Sequence, residues 1–215
     1  MPGASTNMRR SFSVLIVFLC FAPIALGGPI TYHATVNTSS ISGTAGSLDY
    51  NFNPGPFITQ AATLQIVGFS SNGTLVGSPV LTGDVSGTLP ATVTFDNGTA
   101  FNDYFGAFTF GTVLSFDLSF SGPGLAAPDG TSASGSAFAF SMFSDAAGTI
   151  PVLTSDTTNG FAFTVNVNLD GTTTVTNSSA QTAVAPATSG TPEPASLVLM
   201  GIGVVVGVLR FRYLQ

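Results

Sequence analysis

Hydrophobic and polar residues alternate with a period of two through most of the chain. Ile30, Tyr32, Ala34 and Val36 interleave with Thr31, His33 and Thr35. Leu114, Phe116, Leu118 and Phe120 interleave with Ser115, Asp117 and Ser119. Phe138, Phe140 and Met142 follow the same rule, as do Phe161, Phe163, Val165, Val167 and Leu169. Successive side chains of a strand point to opposite faces, so this spacing predicts strands with one face buried. No part of this region shows a 3.6-residue period.

Turn chemistry separates the strands. Asn72-Gly73 and Asp170-Gly171 are tight-hairpin dipeptides. Asp96-Asn97-Gly98 and Pro128-Asp129-Gly130 are turns of the same kind, and Asn53-Pro54-Gly55-Pro56 is a break that no central strand tolerates. Many short strands punctuated this way predict an all-β domain over residues 28–180, an antiparallel β-sandwich or jelly-roll-like fold. No internal repeat is visible. Residues 181–191 are rich in Ala, Thr, Pro and Ser and read as a flexible linker.

The two ends follow different rules. Arg9 and Arg10 precede an apolar run from Phe12 to Ala22, Pro23 breaks it, and Ala25-Leu26-Gly27 supplies small residues at a cleavage site. This is the layout of a secretory signal helix over residues 1–27, cut by signal peptidase after Gly27. Cys20, the single cysteine, follows Phe18-Leu19 rather than small residues, which argues against lipidation. The mature protein is then free of thiols and disulfides. At the other end, Pro192-Glu193-Pro194 precedes an apolar run over 195–209, and Arg210 and Arg212 follow. Those fifteen residues would make a helix of about 22 Å, short of a hydrocarbon core of roughly 30 Å, and snorkelling arginines extend its reach. Positive charge beyond the span predicts a cytoplasmic C-terminus and an outward-facing body.

The segment 192–215 resembles the PEP-CTERM sorting signal. It has the Pro192, Glu193, Pro194 motif, then a short Gly-containing transmembrane helix, then the basic residues Arg210 and Arg212. The resemblance implies recognition by an exosortase-type enzyme, removal of the tail near the motif, and transfer to the cell surface or extracellular matrix. Two prolines forbid helix and hold Glu193 on an extended backbone, the form in which a peptide enters a protease-like cleft. The competing reading is a plain single-pass anchor that stays in the membrane. The body also resembles a recurrent group of small PEP-CTERM proteins, through LDYNFNPG at 48–55, GDVSGTL at 83–89, FNDY at 101–104, LSFDLSFSGP at 114–123 and DGTTTV at 170–175. That likeness implies export and fold class and says nothing of mechanism.

Charge narrows the chemistry. The chain has 215 residues and a formal charge of −6, no lysine, and four arginines, all near its ends. Between Arg10 and Arg210 the only basic side chain is His33, against nine aspartates and Glu193. Nucleic acid is excluded as a partner, because phosphate binding needs clustered Lys and Arg. His33 falls on the polar face of a strand; a histidine metal site needs more than one such residue, and no Gly-x-Ser-x-Gly turn accompanies it. Paired carboxylates drive glycoside hydrolysis, but the aspartates next to glycine are the ones that turns favour. Asp96, Asp129 and Asp145 are the candidates for calcium, as oxygen ligands in loops. Tyr50 and Tyr104, beside Pro/Gly and Asn/Asp segments, are the candidates for exposed sugar-stacking rings. Neither set forms a recognised motif, so no catalytic, cofactor or metal site is assigned.

The sequence therefore describes an exported cell-surface or matrix protein, no enzyme, passing transiently through the inner membrane. A carbohydrate- or matrix-binding module, with exopolysaccharide as partner, is the alternative; a hydrolase is a distant one.

Overall fold

The alternating runs fold as strands in a computed structural model that describes residues 28–187. Twelve strands are present: β1 (Ile30–Asn37), β2 (Ala45–Pro54), β3 (Thr63–Ser71), β4 (Thr74–Thr82), β5 (Val85–Gly87), β6 (Val93–Asp96), β7 (Asp103–Thr109), β8 (Val113–Ser121), β9 (Ser136–Phe143), β10 (Phe161–Val167), β11 (Thr173–Asn177) and β12 (Thr182–Pro186). They form two six-stranded antiparallel sheets, β12-β1-β8-β3-β6-β5 and β11-β10-β9-β2-β7-β4. The predicted all-β, sandwich-like architecture is what the chain adopts. Among the described residues no helix is long and apolar enough to cross a membrane. The expected signal helix and C-terminal transmembrane helix lie outside the described residues.

The alternation does what its period requires. Leu114, Phe116, Leu118 and Phe120 of β8 are fully buried, and so are Phe138, Phe140 and Met142 of β9. Phe116 sits at the centre of an aromatic cluster, its ring 5.3 Å from Tyr50, 5.2 Å from Phe140 and 6.2 Å from Phe163. Most of these contacts are edge-to-face, the geometry that ring quadrupoles favour.

Three local expectations need correcting. Asn72-Gly73 is no hairpin: β3 and β4 belong to different sheets, and the dipeptide is the corner between them. Asn72 Oδ1 accepts the amides of Thr112 and Val113, at 2.8 and 3.2 Å. A Cβ on Gly73 would lie 2.5 Å from the Thr109 carbonyl oxygen, so close approach, not a left-handed backbone, demands glycine there. The second correction concerns the linker. Its first part, Thr182–Pro186, is β12, paired antiparallel with β1 from Tyr32↔Pro186 to Val36↔Thr182. An edge strand needs only one hydrogen-bonding partner and tolerates proline, which disguises it as a stalk in composition. Third, Leu169 is half exposed beyond the end of β10, and a register shift between Phe161 and Phe163 turns Ala162 inward. Asp170-Gly171 does close the β10–β11 hairpin, with Gly171 at φ 80°.

One end of the sandwich gathers both limits of the described chain. Ile30 pairs with Phe120 and Tyr32 with Pro186, so β1 starts where β12 and β8 finish. Buried asparagines lock the two sheets together there. Asn97 Oδ1 accepts the Ala62 amide, and its Nδ2 donates to the Gln60 carbonyl and to Ser136 Oγ, all within 2.9 Å. Asn102 accepts from the Asp84 amide and donates to the carbonyls of Phe52 and Thr99.

Candidate functional site

The outward faces of β2, β9 and β10 form a groove of about 560 Å³ at this same end. Its origin is a contrast in side-chain size. The outward residues of β9 are Ala137 and Ala139, while the strands on either side carry Asn51 and Asn53, and Thr164 and Asn166. The small residues leave a trough and the amides line it. Phe101, Phe161 and Leu169 form apolar walls. Phe101 and Leu169 are each about half exposed, at 52% and 50%.

Beside the groove, two carboxyls meet. Asp49 and Asn51 point outward from β2, and Asp103 of β7 stands directly across from Asn51. Asn51 Nδ2 donates to Asp49 Oδ1 at 2.6 Å. The Asp49 carboxyl is pushed up from its ordinary 3.8 to about 8. Burial is the main cause; the hydrogen bond and negative charge of Asp103 add to it, and the Asn51 amide opposes it. Burial raises Asp103 as well, while its bond to Asp49 works the other way. Burial of two neighbouring carboxyls thus favours a proton on the pair.

The proton makes stability pH-dependent. Between about 3.8 and about 8 the folded state keeps a proton that the unfolded chain has lost. In metal-free buffer, stability should therefore fall as pH rises through that window, with a slope approaching about 1.4 kcal/mol per pH unit from this group. Below the window both states are protonated and above it neither is, so the slope vanishes at both ends. The groups flanking Asp49 across the sheet are Phe105 and Ser141, neither ionised in this range. Asp49→Asn should flatten the dependence, and urea titrations between pH 5 and pH 8 measure it. An unchanged slope in the variant would remove Asp49 as its source.

The residues expected to carry sugar or metal chemistry lie elsewhere. Tyr50 and Tyr104 are buried, not exposed; both belong to the core, and Tyr32 is nearly as covered. Their positions follow the inward phase of β2 and β7, which overrides the polar character of their neighbours. Asp96, Asp129 and Asp145 do not converge. Asp96 accepts from Thr63 Oγ1 at 2.5 Å, and Asp145 caps the loop amides of Thr149 and Ile150 at 2.9 Å. Asp129 accepts from the Ser132 and Thr131 amides, which hold its carboxyl below the usual range. Asp129 and Asp145 each close their own turn, and Asp96 bonds across the β3–β6 pair. No cluster of three or more acidic, His or Cys ligands occurs among the described residues.

His33 is exposed on the outer face of the other sheet, as expected. Its Nδ1 lies 2.5 Å from Asp117 Oδ1, and its Nε2 lies 3.2 Å from Thr35 Oγ1. The order Asp117–His33–Thr35 matches a hydrolytic relay, yet it lies on an open strand face outside the groove. The sequence reading missed the Asp49–Asp103 pair. Fifty-four positions separate its members, and only the β2–β7 register brings them together. A period-two reading with both residues in the outward phase was the one available signal.

The sorting residues Pro192, Glu193, Pro194, Arg210 and Arg212 lie outside the described residues. Comparison with curated proteins and with solved structures gave no match. Comparison with protein families matched residues 191–212, which include all five of these positions, to the PEP-CTERM protein-sorting motif. The chain carries a PEP-CTERM sorting signal directly behind a β-sandwich, the arrangement of an exported protein sorted by an exosortase.

Proposed function

We propose that this is a non-enzymatic protein of the cell surface or extracellular matrix, delivered through the membrane and released or attached by processing near Pro192-Glu193-Pro194. The observation that carries this reading is the position of the matched motif. It begins at residue 191, only a few residues after β12 closes the sandwich. The folded body and the sorting signal are thus adjacent parts of one exported unit. The uneven use of carboxylates adds support, since most of the loop aspartates are engaged in turn closure. The test is the intact mass and fractionation of the native protein. A species starting near Gly28 and ending near Pro192, outside the inner membrane, is the expected result. A species that keeps Arg210 and Arg212 in the membrane makes the chain a permanently anchored ectodomain instead.

A second reading, binding of a neutral polysaccharide, is favoured by one feature. The groove is lined by Asn53, Asn166 and Thr164 together with Phe101 and Phe161. Amide groups bonding sugar hydroxyls beside an apolar wall is the mixture that small-molecule sites use. Retention of the protein on immobilised exopolysaccharide from its own matrix should drop several-fold in Phe101→Ala. Equal retention of the variant would move binding away from the groove.

A further inference from the structure

We infer that an apolar end face built around Phe57 and Ile58 rests on the lipid bilayer while the chain is still anchored, before processing at Pro192-Glu193-Pro194. The inference rests on the anchored stage of the proposed function and adds to it a contact between the folded body and the membrane.

The face lies where the chain crosses from one sheet to the other. Residues 55–62 connect β2 to β3 and expose two consecutive large apolar side chains, Phe57 at 70% and Ile58 at 78%. The Ile58 carbonyl accepts the amides of Ala133 and Ser134, and the Phe57 carbonyl accepts from Ser134 Oγ. Ser134 in turn lines the groove with Phe101 and Leu169, the half-exposed residues of its walls. Large exposed apolar side chains are thus grouped at one end of the body. Grouped apolar surface marks a contact with protein or membrane, whereas scattered exposed residues need no partner.

The exits of the chain choose the membrane. Ala187 donates its amide to the Thr31 carbonyl, and Gly28 and Ile30 line a small cavity with Gly122 and Leu125. Gly124 donates to the Ala61 carbonyl, near the close of the Phe57 loop, so both exits and that loop share one end. The apolar run 195–209 begins eight positions after Ala187, no more than about 29 Å of fully extended chain. So short a tether makes contact with the bilayer intramolecular, and its high effective concentration keeps a weak apolar contact occupied. Cutting at the motif removes the tether, and the contact releases with it.

Charge selects the lipid. No Lys or Arg lies between Arg10 and Arg210. Asp129 and Asp170 are exposed in turns at the same end, Asp129 bonded through its amide to Gln60 and the Asp170 turn packed on Leu125. The face therefore meets uncharged lipid through apolar contact and has nothing to hold an anionic headgroup.

The test reconstitutes the uncleaved full chain in phosphatidylcholine vesicles, with or without bromine on the acyl chains. The chain has no tryptophan, so Phe57→Trp supplies a single reporter. Val113→Trp, also exposed and at the opposite end of the sandwich, supplies the control. On a face seated about 5–10 Å into the headgroup boundary, bromine should lower the emission of Phe57→Trp about twofold and leave that of Val113→Trp unchanged. Adding Ile58→Asp to Phe57→Trp should restore the emission. Flotation of the vesicles reads anchoring separately. A chain that floats with no quenching at either position, or with equal quenching at both, overturns the docked face alone. A chain that does not float overturns the anchored stage and the face together. Blue-shifted emission of Phe57→Trp that bromine does not quench, and that grows with protein per vesicle, gives the face to a second copy and overturns lipid as its occupant.

Discussion

Glu193→Ala should leave the protein uncleaved and in the membrane fraction, with a mass that still includes Arg210 and Arg212. Glu193 is the single charged residue between Asp170 and Arg210, and it is flanked by two prolines. Proline has no amide hydrogen to offer and disfavours helix in itself and in the residue before it. Recognition of that tripeptide by shape is shared with any proline-rich stretch; recognition by charge depends on this carboxylate. Removing it should cost the sorting enzyme its one electrostatic handle, and processing should fall by at least tenfold. The complementary variant lacks residues 195–215 and should reach the medium with no cleavage at all. Fractionation followed by intact-mass measurement reads both. Normal release of Glu193→Ala would mean that the carboxylate is not what is read.

The second large effect lies in the core. Phe116→Ala should destabilise the domain by about 3–5 kcal/mol, the range for losing a fully buried aromatic ring. Phe116 has no exposed surface and touches rings from three strands of the facing sheet, through Tyr50, Phe140 and Phe163. A cavity there is enclosed by rigid rings that cannot collapse into it, which favours the upper part of the range. Domains of this kind are stable by about 5–15 kcal/mol in all, so the variant sits close to unfolding at room temperature. Phe101→Ala, which removes a ring of similar size from the exposed groove wall, should change stability by less than about 0.5 kcal/mol. Urea midpoints of the two variants give the contrast. Equal midpoints would place the fold's stability outside the aromatic cluster.

The strands with bulky inward residues were legible because period-two alternation is a local property. β1, β8, β9 and β10 each announce their buried face within a single run of sequence. What alternation does not encode is partnership. β3 and β4 flank Asn72-Gly73 as two arms of a hairpin would, and nothing nearby says that they enter different sheets. That choice is made by Asn72 clamping the amides of Thr112 and Val113, forty residues away. Edge strands were lost for another reason. β4 and β12 are mostly exposed, so their composition is that of a loop. Tyr50 and Tyr104 were misplaced because polar neighbours suggested surface, whereas strand phase decides which face a ring takes. The acid pair needed both phase and register, and register is a long-range quantity.

The gathering of both chain limits at one end of the sandwich fixes how the protein is shown to its surroundings. The last described residue, Ala187, lies five positions before Pro192, a reach of no more than about 18 Å even when fully extended. Any attachment made at that motif therefore works as a short stem. The stem leaves from the end of the sandwich at which the trough on the β2, β9 and β10 face begins. The Asn72 corner and the loop between β9 and β10 form the crown. Attachment at the motif would therefore keep the trough's end close to its anchor and leave the Asn72 corner farthest from it.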